Sequence, residues 1–341
     1  MVKMDYISIP QPGSVMIKEM ELPAVKPGEA LLKLCYGGIC GSDLGTYRGT
    51  FLYTQYPRIP GHEFAAEIVA IGANDYGLKK GMIVTGNPYF NCNQCYSCQR
   101  GYVNCCTSNQ TLGAQRDGVF RQYITLPVER IYDGRGLAPQ ILTLIEPFCI
   151  SYHAVKRARV QSGDHVLVVG AGTIGCLAVA AAKLQGAQVC VTDVFERKLD
   201  YAAQMGADET FVNCNTEDFK QKVQQITDDK GFDVCIEAVG LPSTFQNSID
   251  AAAYRGRVVE VGVGKQNLDF FYSVIQTKEL EVMGSRNALK EDFIELIAMV
   301  KAGKVNLEAM IIDVYNYWDA GVAFETLSVK GADKLKVLLK F

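Results

Sequence analysis

His165–Asp193, HVLVVGAGTIGCLAVAAAKLQGAQVCVTD, reads as strand, glycine turn, helix and a second strand ending in an acid. Val166 to Val169 is a short, fully apolar run, as a strand covered on both faces requires. Gly170, Gly172 and Gly175 follow with G-x-G-x-x-G spacing. The first permits a tight turn, the second lets the backbone approach a pyrophosphate, and the third lets the helix pack closely on the strand. Amides at the helix N-terminus then face the phosphates, which adds Thr173 and Ile174 to the cofactor set. Asp193 closes the apolar run Gln188 to Thr192, where a carboxylate can bond both ribose hydroxyls, and this favours NAD over NADP. Arg197 is placed in the same set. Two simpler readings compete, a plain βαβ crossover and a membrane span, since Val166 to Ala182 carries no charge. Three glycines at its centre, a change of period and the lack of flanking polar anchors argue against the span.

Outward from this stretch, 341 residues with 48% apolar content suit two domains better than one. A net charge of -3 gives no electrostatic reason to expect nucleic acid or an acidic membrane as partner. The opening MVKMDYISIPQPG has neither an apolar core nor a cleavage pattern, so no signal peptide is expected. Twelve cysteines without an export signal point to a reducing compartment, and hence to a cytoplasmic protein whose cysteines are buried thiols or metal ligands. No low-complexity segment, charge block or solenoid repeat is present.

Up to about residue 150 short runs such as Ala30 to Tyr36 and Phe64 to Ile71 alternate with Pro and Gly, a β-rich texture. From about 153 to 285 apolar strands alternate with helices, with Val166 to Val169, Gln188 to Thr192, Phe232 to Glu237 and Arg257 to Val261 as strand candidates. Such alternation predicts a doubly wound parallel sheet, and the fold class is α/β. In the tail, Phe293, Leu296, Ile297 and Val300 fall on one face of a helix over Lys290 to Ala302, stopped by Gly303. Leu335, Val337, Leu339 and Phe341 alternate with Lys336 and Lys340, predicting a half-buried strand. The tail is therefore expected to rejoin the first domain.

Cys92, Cys95, Cys98 and Cys106 form C-x2-C-x2-C-x7-C. Four thiolates close together are costly unless a cation neutralises them, and zinc with four sulfurs closes a tetrahedral, structural site. The spacing does not match the ferredoxin patterns of iron–sulfur centres. Cys105 adjoins the fourth cysteine and is an alternative ligand on spacing alone. A second set is scattered: Cys40 in GGICGSD, His62 and Glu63 in PGHEF, and Glu146 in LIEPF. A thiolate, an imidazole and a carboxylate would leave zinc an exchangeable position, which Lewis-acid catalysis requires. Taken singly, His62 reads as a core or turn histidine and Glu146 as a helix N-terminal acid.

GGICGSD, PGHEF, the four-cysteine lobe, GVFRQYITLP, LIEPF, VLVVGAGTIG and KVLLKF occur in an order that resembles the zinc-dependent medium-chain dehydrogenase/reductase family along essentially the whole chain. The resemblance implies a GroES-like catalytic domain over residues 1–152 and 287–341, split around a Rossmann NAD-binding domain over 153–286, with the active site in the cleft between them. It selects Cys106 as the fourth structural ligand. It also implies two zinc ions per chain, the catalytic one on Cys40, His62 and either Glu63 or Glu146, as in the sorbitol and threonine dehydrogenase branch. IEPFCISYHAVKRA and GSRNALKEDF look most like bacterial dehydrogenases of the galactonate, gulonate and idonate kind. Arg286 is then a candidate to meet a substrate carboxylate bidentately, with a loop-neutralising role as the simpler reading. Family members commonly carry a histidine of the proton relay where this chain has Gly45. Ser42 remains as first proton acceptor, with water, a cofactor ribose hydroxyl or Tyr47 to complete the path. Ala66 and Val119 replace family glycines.

The expected reaction takes a hydride from a secondary alcohol of a sugar acid or polyol, such as L-gulonate or L-galactonate, to NAD⁺. Threonine or butanediol dehydrogenation is the neighbouring reading. A non-catalytic protein that binds dinucleotide and zinc is the reading from another class. A small-molecule substrate and a homodimer or homotetramer are expected, without nucleic acid or membrane partners.

Overall fold

In a computed structural model, residues 2–213, 215–329 and 334–341 are described. The chain divides into two compact units: Met1–Glu146 with Leu289–Gly303 and Ile311–Phe341, and Pro147–Ala288 with Lys304–Met310.

The first unit is built on a seven-stranded sheet whose main path runs Ile311–Asn316, Lys336–Lys340, Glu29–Gly38, Glu63–Ile71, Ile83–Gly86 and Ile131–Asp133, with Tyr123–Pro127 also paired to Glu29–Gly38. Leu32, Leu34, Phe64, Phe120, Phe324 and Leu339 fill its core. Each is at most 1% exposed, so truncation of any one removes packing that water cannot replace. In the tail, Lys336–Lys340 pairs antiparallel with Glu29–Gly38 and parallel with Ile311–Asn316. One expectation is corrected here. Lys336 was expected on the wet face of a half-buried strand, yet it is 2% exposed. Val337, Leu338 and Leu339 are buried too, because this strand lies inside the sheet rather than at its edge.

The second unit is a six-stranded sheet in the order Glu209–Val212, Gln188–Asp193, His165–Val169, Phe232–Glu237, Ala252–Glu260 and Glu281–Gly284. Every pairing is parallel, and the two first strands of the fingerprint lie side by side, as the alternating strand–helix pattern predicts. Leu167, Val169, Cys235 and Val258 lie in its core with Phe219. Helix Thr173–Leu184 buries Cys176 through Ala182 without a break, which accounts for the uncharged run. Among the described residues no helix is long and apolar enough to cross one. The strand expected at Arg257 to Val261 starts at Ala252, because pairing passes from Phe232↔Ala252 to Val234↔Arg257 and the intervening residues bulge out. Cys149, Cys176, Cys190 and Cys235 are buried cysteines outside any disulfide. Burial pushes the thiols of Cys176 and Cys190 up to about 12.

Candidate active site

The four-cysteine lobe folds around its own sulfurs. Cys92, Cys95, Cys98 and Cys106 each present a sulfur within 4.8 Å of the others, whereas Cys105 is exposed. The Cys106 sulfur lies 3.5 Å from that of Cys92 and 4.0 Å from that of Cys95. Sulfurs at the corners of a zinc tetrahedron with ~2.3 Å bonds stand roughly 3.8 Å apart, so the lobe fits that ion. Backbone N–H groups of Cys92 and Ser108 donate to the Cys106 sulfur at 3.3 Å each. Hydrogen bonds from the backbone of Cys98 and Thr107 lower the Cys95 thiol to about 5, toward the thiolate a cation needs.

The second set is assembled by two turns tied together through Asp43. Cys40 precedes helix Gly41–Arg48, and its N–H donates to Asp43 Oδ2 at 3.0 Å. The other Asp43 oxygen accepts the Gly61 N–H at 2.9 Å, so GGICGSD is anchored to PGHEF. Gly61 has φ +96°, and a Cβ there would lie 2.2 Å from the Phe120 ring; any side chain would push His62 out of place. Cys40, His62 and Glu63 offer ligand atoms within 4.8 Å of one another. The His62 Nδ1 atom is buried and has no protein partner. Burial opposes a charged His62, but Cys40, Asp43 and Glu146 outweigh it and hold the ring well above its ordinary pKa. A half-buried thiol with a buried imidazole and a buried carboxylate, under that excess of negative charge, are donors suited to a divalent cation.

The two glutamates are held differently. Glu63 is fully buried, and both its oxygens accept from Lys336 Nζ at 2.7 Å, while Lys336 also donates to the Ile39 carbonyl at 3.3 Å. Burial works against the Lys336 charge, yet Glu63 and Cys40 raise its pKa. Glu146 lies at the start of helix Ile145–Arg157, 3% exposed, with the Tyr89 hydroxyl donating to Oε1. Burial, reinforced by Glu63, pushes Glu146 up to about 7. Glu63 thus belongs to the three-donor group, and Glu146 is tethered beside it. Tyr89 is itself fixed by Arg130, which donates to its carbonyl at 2.6 Å and stacks on Phe90 at 4.4 Å.

Ser42 and Tyr47 are half-buried on helix Gly41–Arg48, and Tyr47 packs against Phe324 with ring centroids 5.7 Å apart. Gly45 is buried between them. A Cβ at Gly45 would stand 3.1 Å from Phe51 Cβ, so any side chain there presses on Phe51. We expect Gly45→His to lower the melting temperature, and Gly45→His/Phe51→Gly, which removes the Cβ it meets, to recover part of the loss; an unchanged melt for the single variant would contradict this packing.

In the second unit, a pocket of about 600 Å³ is lined by Gly170, Gly172, Asp193, Lys198, Val239 and Asn213, among others. A Cβ on Gly175 would lie 1.7 Å from the Gly170 carbonyl, whereas one on Gly172 would meet nothing within 4 Å. Helix packing and open approach are therefore divided between the glycines as their spacing predicts. Asp193 accepts from the Ala171 N–H at 2.8 Å and the Phe195 N–H at 3.0 Å, one on each oxygen. Each oxygen retains a lone pair for a further donor, and Asp193 lines the pocket. Thr173 opens the helix, the Ile174 carbonyl accepts from Ser151 at 2.7 Å, and Arg197 and Arg286 are exposed. Asp43, Tyr89 and Lys336 carried no sequence signal for these roles beyond Asp43 lying within GGICGSD.

An alcohol dehydrogenase GroES-like domain model matches residues 26–135, and a zinc-binding dehydrogenase model matches 173–302. The chain is 35% identical to an L-galactonate-5-dehydrogenase of Escherichia coli K12, covering 100% of both chains. It is 32% identical to an L-threonine 3-dehydrogenase of Pyrococcus furiosus over 97% of each. An alcohol dehydrogenase of E. coli CFT073 crystallised with NADH superposes with a TM-score of 0.91 at 30% identity over 99% of each chain. Two metal-ligand clusters, a parallel sheet with a dinucleotide fingerprint and these full-length matches describe one class of catalyst, a zinc-dependent NAD(P) dehydrogenase acting on alcohols. The chain belongs to the zinc-type medium-chain alcohol dehydrogenase family.

Proposed function

We propose that this enzyme oxidises a secondary alcohol of a sugar acid or polyol to the ketone, with NAD⁺ taking the hydride. The observation that carries the chemistry is the group Cys40, His62 and Glu63, with Glu146 tethered beside it. The substrate class rests on the full-length likeness to a galactonate dehydrogenase. The choice of NAD rests on Asp193, whose carboxylate favours a ribose diol and repels a 2′-phosphate. Residues 1–152 and 287–341 are assigned the catalytic role and 153–286 the binding of the dinucleotide.

Zinc among these donors supplies the Lewis acidity that lowers an alcohol's pKa, and the nicotinamide is the hydride acceptor. The protein does the rest. Ser42 accepts the hydroxyl proton, which leaves through Tyr47 or solvent, since Gly45 offers no imidazole. Lys336 holds Glu63, and Tyr89 holds Glu146, so that one carboxylate stands among the donors while the other is kept in reserve. The fingerprint turn and the N-terminus of helix Thr173–Leu184 receive the pyrophosphate, with Thr173 and Ile174 beside it. Arg286 is the proposed partner of a substrate carboxylate.

The test is zinc-loaded protein with NAD⁺ or NADP⁺ and a panel of aldonates, polyols, threonine and simple alcohols, read as absorbance of the reduced cofactor. Turnover fastest with an aldonate and NAD⁺ is expected. Preference for threonine would favour the second reading, which the Pyrococcus likeness supports. No reduction with any secondary alcohol would end the catalytic assignment.

A further inference from the structure

Two acids at the ends of adjacent strands have no part in the chemistry above. Glu237 ends Phe232–Glu237, and Glu260, its register partner, ends Ala252–Glu260. Glu237 is fully buried. Its Oε1 accepts from the N–H groups of Val239 and Gly240, both at 2.9 Å, and from the Thr244 hydroxyl at 2.6 Å. Its Oε2 accepts from Gly240 at 3.0 Å. Both Glu237 oxygens are thus committed as acceptors. Glu260 is in the opposite position, because its Oε2 is buried with no partner. Burial first, and Glu237 second, push its carboxyl up to about 8, so near neutrality it keeps a proton beside the acceptor oxygens of its register partner.

The pair bears on the nucleotide pocket through the backbone. Glu237 orders the turn that follows it, and a Cβ on Gly170 would lie 2.4 Å from Val239 Cγ2, so this turn sits on the first glycine of the fingerprint. On the other side, the N–H groups of Val261 and Gly262 donate to the Glu237 carbonyl at 2.9 and 3.1 Å. A Cβ on Gly262 would lie 2.4 Å from Glu237 Oε2 and 2.2 Å from the Gly240 nitrogen. Gly170, Val239, Leu241 and Thr244 all line the pocket.

We propose that Glu260 and Glu237 share one proton as an acid–carboxylate pair that fixes the 238–240 turn against Gly170, so that dinucleotide binding weakens when the proton leaves. Both are positioning residues, acting through Val239 and Gly240. This inference rests on the dinucleotide reading of the pocket. The charged group facing Glu260 is Glu237; helix Pro242–Ala251 brings the Thr244 hydroxyl to the pair, and the segment after Glu281–Gly284 brings Ser285, whose N–H donates to the Glu260 carbonyl at 2.9 Å. The sign follows. Glu260 is raised above an ordinary carboxyl, so the proton and its contribution are present below that range and are lost as pH climbs through about 8.

The experiment is titration of zinc-loaded full-length protein with NADH, followed by nicotinamide fluorescence, from pH 6.5 to 9.5. Wild-type Kd should rise at least about fivefold across pH 8, the lower end of ordinary coupling between sites. Glu260→Gln, which donates at every pH, should remove that rise, and Glu260→Leu should weaken binding at all pH values. A wild-type Kd independent of pH, or a Glu260→Gln profile that follows wild type, overturns the inference and leaves the pocket standing. Failure of wild type to bind NADH at any pH overturns the reading of the pocket, and this inference with it.

Discussion

Cys40→Ser should leave the fold intact, lower the zinc content from two ions per chain to one, and reduce kcat/KM by at least about a thousandfold, since a catalytic metal supplies several kcal/mol of transition-state stabilisation and each ~1.4 kcal/mol is tenfold. The serine hydroxyl occupies nearly the same place as the thiol but is a far poorer zinc ligand at neutral pH. The other donors remain: His62 with its buried, unpartnered Nδ1, and Glu63 on Lys336. The four sulfurs of the lobe belong to a separate cluster and should keep their ion. Metal analysis and circular dichroism on the same sample distinguish loss of one ion from collapse. A variant that keeps both ions and full turnover would remove Cys40 from the site.

Lys336→Met is expected to have the largest effect on stability. The pair with Glu63 has side chains 3% and 0% exposed, so water cannot take over from the ammonium when it is removed. Breaking a buried pair from one side costs about 3–5 kcal/mol, because the remaining charge is uncompensated. In metal-free protein this should lower the apparent melting temperature by on the order of 10 °C. Zinc beside Glu63 offers another counter-charge, so the loss should shrink in loaded protein, and added zinc should raise the variant's melting temperature more than the wild type's. Glu63→Gln in the same chain removes the orphaned charge and should restore much of the metal-free stability. Equal melting of Lys336→Met and wild type without metal would show that the pair does not carry this energy.

What could be read beforehand follows the physics of each signal. The strands Gln188–Asp193 and Phe232–Glu237 were visible because a strand covered on both faces is apolar throughout. Glu209–Val212 and Glu281–Gly284 were not, since they are four-residue edge strands with exposed residues and no apolar run. Cys92, Cys95, Cys98 and Cys106 announce themselves because their spacing is local. Cys40, His62, Glu63 and Glu146 could be proposed as donors from their chemistry, but no spacing brings them together, their neighbourhood being made by tertiary structure. Lys336 was misplaced because alternation reports one face of a strand and cannot foresee a carboxylate waiting on the other. Glu260 was invisible for the same reason: its partner comes from register across strands, which no window along the chain contains.

The bond between Lys336 and Glu63 spans 273 residues of chain. At synthesis rates of ~5–20 residues per second, on the order of tens of seconds separate the emergence of the carboxylate from that of its ammonium. During that interval Pro147–Ala288, the main stretch of the second unit, is complete, while the sheet around Glu63 lacks Ile311–Asn316 and Lys336–Lys340. Glu63 therefore stays without its ammonium partner until the last strand of the chain, Lys336–Lys340, has been made.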